Sequence, residues 1–267
     1  MSNFLLRNQN HRLNISNLGA QILSWEVNTG PGEWENLLYT GSSVKRTGIP
    51  VLFPFADPLT DNIFAQTGEK ILQHGFARDS VWIVQERTSQ AVSLTLNQNQ
   101  ISSEMKVAYP FKFQVEIHLE ILDDHILNYN LKVSNLGTEP MPIAPGLHPY
   151  FNLKHDDKTK LKIPNLESFD GSKFAWDEKL KGSFFKFQSP VEIYFPNGNI
   201  ISISEKTTIT TLDHLVIWSQ PKNTLDFDFV CIEPFTRNTN ALNDNPILIA
   251  PGESWHINLT FEFSQKK

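Results

Sequence analysis

The stretch VEIHLEIL, residues 115–122, decides how this chain is to be read. Val115, Ile117, Leu119 and Ile121 fall on one side of an extended backbone, and Glu116, His118 and Glu120 on the other, because successive side chains of a strand point to opposite faces. A helix with the same order would scatter these apolar residues around its axis. The period of two recurs on either side. LNYNLKV (127–133) aligns Leu127, Tyr129, Leu131 and Val133, and WHINLTFEF (255–263) aligns Trp255, Ile257, Leu259, Phe261 and Phe263. AVSLTL (91–96) and QILSWEV (21–27) alternate likewise. Such segments are half-buried antiparallel strands, with one face on a core and one in water. Turn signals separate them at Asp123-Asp124, Asn135 to Pro140, Pro196-Asn197-Gly198 and Pro251-Gly252. No long stretch has helical periodicity. The expectation is an all-β chain, a large antiparallel β-sandwich formed as one domain over residues 1–267.

Composition narrows the function classes. The chain is 40% hydrophobic and 19% charged, ordinary values for a globular protein with a sizeable core. A net charge of -6 gives no reason to expect nucleic acid or an anionic membrane as partner. The single Cys231 rules out an internal disulfide and fits a reducing compartment. MSNFLLRNQNHRLNI has too short an apolar run for a signal peptide, and no run is long enough to span a membrane. A cytoplasmic protein is expected.

Four segments break the alternation: KRTGIPVLFPFADPL (45–59), LQHGFARDSVW (72–82), APGLHPYFNL (144–153) and DFVCIEPF (228–235). Failures of local pattern mark functional sites as well as turns and tight packing. Nucleotide loops, the G-x-S-x-G elbow and H-E-x-x-H are all missing from the sequence. One cysteine cannot build a thiolate zinc site. His148 and His155 are seven apart, which puts them on opposite faces of a straight strand, so no metal site is expected.

Of the eight histidines, His118 and His256 occupy the polar faces of clean strands, and His11, His125, His155 and His214 sit beside strand ends or loops, where surface roles are expected. His74 and His148 differ, because each is embedded among glycine, proline and aromatic residues. Taken alone, each is as well explained by structure as by function. Glu233 follows the apolar run Val230-Cys231-Ile232 and precedes Pro234, which is expected to end the strand for want of an N–H. A carboxylate there is paired, hydrogen-bonded or reactive, because an unpaired buried charge is costly. Burial would also raise its pKa toward that of a useful general base. Arg46 and Arg78 flank the irregular segments and suit sugar hydroxyls, a phosphate or plain ion pairs. A histidine and a glutamate with arginine support, and no cofactor motif, point to proton transfer.

In this order, TGIPVLFPF (47–55), QHGFARDSVW (73–82), GLHPYFNL (146–153), VIWSQP (216–221), VCIEPF (230–235) and APGESW (250–255) resemble the aldose 1-epimerase, or galactose mutarotase-like, family. The resemblance implies the family's β-sandwich and a cofactor-free, metal-free isomerase acting on a small-molecule sugar or sugar phosphate. It also implies a monomer or weak homodimer. His148 matches the histidine that protonates the sugar ring oxygen, and Glu233 the carboxylate that takes the proton of the anomeric hydroxyl. His74 matches a second sugar-contacting histidine. The family's sugar-binding aspartate falls at Glu192, in VEIYF, with Asp213 as the competing candidate. Galactose-type members carry an arginine after the first PF, where this chain reads Ala56-Asp57-Pro58. Arg46 and Arg78 instead resemble arginines of the hexose-6-phosphate mutarotase branch, which leaves free aldoses and hexose 6-phosphates both open. The competing function is a non-catalytic carbohydrate-binding or sensor domain that keeps the pocket. A hydrolase would need two facing carboxylates, and only Glu233 has such a setting in the sequence.

Overall fold

A computed structural model describes residues 1–64, 70–122, 125–178, 182–207 and 211–266. The turn expected at Asp123-Asp124 lies outside the described residues. Among the described residues, mostly antiparallel strands build four sheets. One holds β1 (Asn3–Arg7), β2 (His11–Ser16), β3 (Gln21–Gly30) and β4 (Glu33–Asn36), in that order. The second combines β5 (Val51–Leu52), β11 (Gly146–Leu147), β12 (Tyr150–Asn152), β13 (Ser183–Lys186), β16 (His214–Trp218) and β17 (Phe229–Phe235). The third is seven-stranded and runs β14 (Val191–Tyr194), β15 (Asn199–Glu205), β19 (Ser254–Gln265), β9 (Ile126–Asn135), β8 (Phe113–Ile121), β7 (Ala91–Asn97), β6 (Ile83–Arg87). A small pair joins β10 (Met141–Ile143) to β18 (Ile247–Ile249). The α-helices among the described residues are the short α1 (Ser103–Ala108) and α2 (Ala241–Asp244), alongside four short 3-10 helices.

The decisive stretch forms β8, paired without interruption to β9 from Phe113↔Asn135 to Ile121↔Leu127. Its burial alternates strictly, and so does that of β7. That single apolar face is what the period of two demands. One buried cluster joins Val115, Leu131 and Phe261 of this sheet to Leu13 and Trp25 of the first and Ile217 and Ile232 of the second. Phe53, Phe76, Tyr109 and Phe113 add rings with centroids 5.3–6.0 Å apart, and the Tyr109 hydroxyl donates to Pro142 O at 2.7 Å. This aromatic group fastens two irregular segments, around Phe53 and around Phe76, onto the regular sheet.

β17 behaves differently, because every residue from Phe229 to Phe235 is buried. Both its faces are covered, so the sequence there is an apolar run rather than an alternation. Pro234 does not end the strand as expected; β17 continues through it, with Pro234 opposite Leu215. Ile232 N–H donates to Pro149 O and Thr236 N–H to Pro145 O, so the nitrogen of Pro234 faces the break between β11 and β12. No ladder donor is needed there, which is where a strand tolerates proline.

Candidate active site

The break between β11 and β12 is His148-Pro149. It is held in place rather than loose: His148 N–H donates to Pro50 O at 3.0 Å and Tyr150 N–H to Gly48 O at 2.8 Å. Gly48 can lie this close because it lacks a Cβ. At its φ of +64°, an added Cβ would sit 1.8 Å from Ile22 O. The bend turns the His148 imidazole toward Glu233 of the neighbouring β17. His148 Nε2 lies 3.5 Å from Glu233 Oε2, and both side chains are almost wholly buried.

His74 reaches the same place by a second distortion. His74 and Gly75 have φ of 75° and 71°, and a Cβ on Gly75 would lie 2.0 Å from Phe53 O. A non-glycine residue in the left-handed region stores strain that surrounding structure must hold. Here the hold is a hydrogen bond between His74 Nδ1 and Ala56 O. With Nδ1 donating, Nε2 is left as an acceptor. The His74 and His148 rings are 5.1 Å apart and edge to face.

Tyr150 and Phe151, adjacent in sequence, take opposite sides of β12. Tyr150 stacks on His148, with centroids 4.6 Å apart and planes 2° from parallel, while Phe151 is fully buried in the main core. Trp218 meets the His148 ring edge-on at 5.9 Å. These groups line a cavity of about 600 Å³, together with Lys45, Arg46, Asp57, Arg78, Gln220 and Thr239. Its size suits a small ligand.

Burial dominates the electrostatics of the central pair. It pushes His148 well below the ordinary imidazole value, assisted by the charges of His74 and Arg78. Burial pushes Glu233 well above the ordinary carboxylate value, reinforced by Asp57 and opposed by Arg78. Both shifts run against charge on this pair, since burial disfavours an imidazolium and a carboxylate alike. His74 is lowered to about 4, again chiefly by burial and then by Arg78. Arg46 pairs with the buried Asp226 at 3.4 Å. Asp226 also accepts from the Ser42 hydroxyl at 2.6 Å, the Ser42 amide at 2.9 Å and the Tyr39 hydroxyl at 3.1 Å. Burial alone would raise that carboxyl, but these donors outweigh it and hold it below the usual value. Arg78 Nε and Gln220 Oε1 are buried without a hydrogen-bond partner, although both residues line the cavity. Such groups are costly unless a ligand satisfies them.

The structure thus brings together His148, Glu233, His74, Arg46 and Arg78. It does not bring Glu192 or Asp213. Glu192 lies on β14 of the seven-stranded sheet and accepts from the Tyr194 hydroxyl at 3.0 Å, away from the cavity lining. Asp213 is occupied by Arg237 at 3.1 Å, likewise outside the lining. The family resemblance suggested Glu192, and residue type suggested Asp213; Glu192 belongs to the other sheet, whereas Asp213 adjoins β16 of the site's own sheet but is held by Arg237. Two histidines expected at the surface are buried instead. His11 accepts from Trp25 Nε1 at 2.9 Å, and His155 Nε2 is 3.0 Å from Asp177. Asp57, Tyr150, Trp218 and Gln220 are cavity residues that sequence reasoning did not assign. Tyr150 was within reach, since it shares the strand face of His148 two residues earlier.

His148, Cys231 and Glu233 present one nitrogen, one sulfur and one oxygen within 4.8 Å of one another. Cys231 and Glu233 are two apart on one strand and so share a face. Their proximity follows from the acid–base geometry, and burial raises the Cys231 thiol, which opposes the thiolate a metal needs.

The model of the aldose 1-epimerase family matches residues 2–262, and the chain belongs to that family. Comparison with curated proteins gives no significant match. Among solved structures, the Slr1438 protein of Synechocystis sp. PCC 6803 is 24% identical with a TM-score of 0.82, covering 99% of this chain and 96% of that one. A galactose mutarotase related enzyme from Lactobacillus acidophilus is 22% identical, with a TM-score of 0.78 and coverage of 99% and 98%. A galactose mutarotase-like protein from Lactobacillus casei is also 22% identical, with a TM-score of 0.74 and coverage of 98% and 100%. The fold is therefore the galactose mutarotase-like β-sandwich. Among the described residues no helix is long and apolar enough to cross a membrane.

Proposed function

We propose that the protein is a mutarotase, interconverting the α and β anomers of an aldohexose by acid–base ring opening and reclosure. The observation that carries this reading is the 3.5 Å approach of His148 Nε2 to Glu233 Oε2 inside a cavity of sugar size. Glu233 takes the proton of the anomeric hydroxyl while His148 delivers one to the ring oxygen. The C1–O5 bond breaks as the C1 carbonyl forms. The open aldehyde turns about C1–C2, and the reverse transfers close the ring on its other face.

The cycle requires the buried pair to carry a single proton. Before opening the proton is on His148, and after opening it is on Glu233. Burial favours the second arrangement, in which neither group is charged. Opening therefore discharges the pair, and Arg78, which favours an ionised Glu233, counteracts that bias so that reclosure is not blocked. His74 Nε2 and Gln220 Oε1 accept from sugar hydroxyls, and Arg78 donates. Tyr150 and Trp218 supply flat apolar walls to sugar C–H faces. Each positioned proton transfer supplies roughly 10²–10⁴-fold. Anomer exchange followed by NMR saturation transfer across aldohexoses tests the reading. Saturable sugar binding with exchange at the uncatalysed rate would replace it with the non-catalytic sugar-binding domain.

A further inference from the structure

Asp57 has no place in the acid–base scheme, yet its position is built as firmly as that of His148. The preceding residue, Ala56, is fixed from both ends of its peptide: its N–H donates to Ala144 O at 2.9 Å, and its carbonyl accepts from His74 Nδ1. Ala56 also packs with Leu52, Val216 and Phe235 in a small buried cluster beneath the cavity. The chain then turns Asp57 into the cavity, where the Thr239 hydroxyl bonds to it. Thr239 supplies one donor, whereas an ionised carboxylate accepts about four. Among the described residues no cation pairs with Asp57, and burial raises its carboxyl above the usual value.

The cations of the cavity, by contrast, each lie near a carboxylate, although Arg78 Nε still lacks a hydrogen-bond acceptor. Arg46 is paired to Asp226 at 3.4 Å, Lys45 lies 3.2 Å from Asp79, and Arg78 Nε lies 4.0 Å from the other oxygen of Asp79. Each positive charge already has a carboxylate within 4.0 Å, while Asp57 adds an acidic group without a cation of its own. A dianionic phosphate would compete with these carboxylates for the cations and sit in a cavity that already contains an unpaired carboxylate. An uncharged polyol meets neither obstacle, and its hydroxyls supply the donors that Asp57 lacks.

We propose that Asp57 is a specificity-determining residue. Its carboxylate accepts hydrogen bonds from sugar hydroxyls, the task that the family resemblance gave to Glu192 or Asp213, and it biases the cavity toward an uncharged aldose over a hexose phosphate. The inference rests on the mutarotase reading of the same cavity. It turns on a residue that the reading leaves idle.

The test measures anomer exchange of galactose, glucose and glucose 6-phosphate by the wild type and Asp57→Asn, with calorimetric titration of the same three ligands. The wild type is expected to favour the better free sugar over glucose 6-phosphate by about tenfold or more in kcat/KM. Asp57→Asn is expected to lower kcat/KM for the free sugar about 10–100-fold, mainly through KM. The value for glucose 6-phosphate should hold or rise, whereas a purely structural defect would lower both substrates alike. Wild-type preference for glucose 6-phosphate, or an unchanged ratio in Asp57→Asn, overturns the inference and leaves the mutarotase reading standing. Free-sugar binding that Asp57→Asn abolishes, with no exchange of any sugar, removes the mutarotase reading and keeps the role of Asp57. Neither binding nor exchange overturns both.

Discussion

The seven-stranded and six-stranded sheets share one core but solve different problems. The larger sheet keeps one face dry and one wet, so β8 alternates without a break and its register with β9 is continuous. The smaller sheet is buried through the whole of β17 and interrupted at His148, between β11 and β12. The regular larger sheet and the bent smaller one pack on the same buried cluster. The aromatic group of Phe53, Phe76, Tyr109 and Phe113 is the physical link, since it ties strained segments bearing cavity residues to β8.

Substitutions that strike one sheet and spare the other sharpen this contrast. The largest effect is expected from Glu233→Gln or His148→Ala, each lowering anomer exchange roughly 10²–10⁴-fold while the thermal melt changes little. Ile117→Ala in β8 should do the reverse, destabilising the fold by about 2–5 kcal/mol with kcat of the remaining folded protein unchanged, as chemical denaturation and exchange rates would show. Equal loss of activity per folded molecule in both would break the contrast.

Acidification acts on buried histidines in both the scaffold and the site. His11 and His74 are held at about 4 against an ordinary 6.5, chiefly by burial, so the unfolded chain takes up protons before the folded one does. Stability is therefore lost as pH falls from 6.5 toward 4, by up to about 3 kcal/mol for the fully buried His11. Glu233 acts with the opposite sign: its raised pKa removes stability as pH climbs from the ordinary 4.5 through its folded value. Urea titrations at pH 7 and pH 5 should show the acid-side loss, and His11→Asn should flatten it.

Gly75→Ala comes next. It drives a Cβ against Phe53 O and should lower activity by displacing His74 before it unfolds the protein, which exchange rates below the melting transition would detect. The smallest effect belongs to Glu192→Gln, expected to change stability by less than about 0.5 kcal/mol and to leave exchange as it is. A large loss of exchange there would return Glu192 to the site.

The two sheets were unequally legible in sequence. Val115 to Ile121 announced their strand because one wet face forces alternation, and the same logic placed β7, β9 and β19. His148, Glu233 and His74 stood out for the opposite reason, since they interrupt or terminate patterns. Pro234 misled, because whether a strand tolerates proline depends on what faces its nitrogen, and that is a property of the break at His148. The resemblance that offered Glu192 does not reveal which sheet a strand joins, and β14 joins the seven-stranded one. Asp57 was visible only as a missing arginine. Its meaning comes from ion pairs made by Arg46 and Lys45 with Asp226 and Asp79, residues 180 and 34 positions away.

The central claim is that a single shared proton moves between His148 and Glu233 through a bound sugar. NMR saturation transfer between the α and β anomers of galactose, with wild type and Glu233→Gln compared under identical conditions, tests it most directly. The account predicts exchange well above the uncatalysed rate for the wild type, falling to near that rate in Glu233→Gln while galactose binding persists. Exchange that survives in Glu233→Gln at the wild-type rate would contradict it.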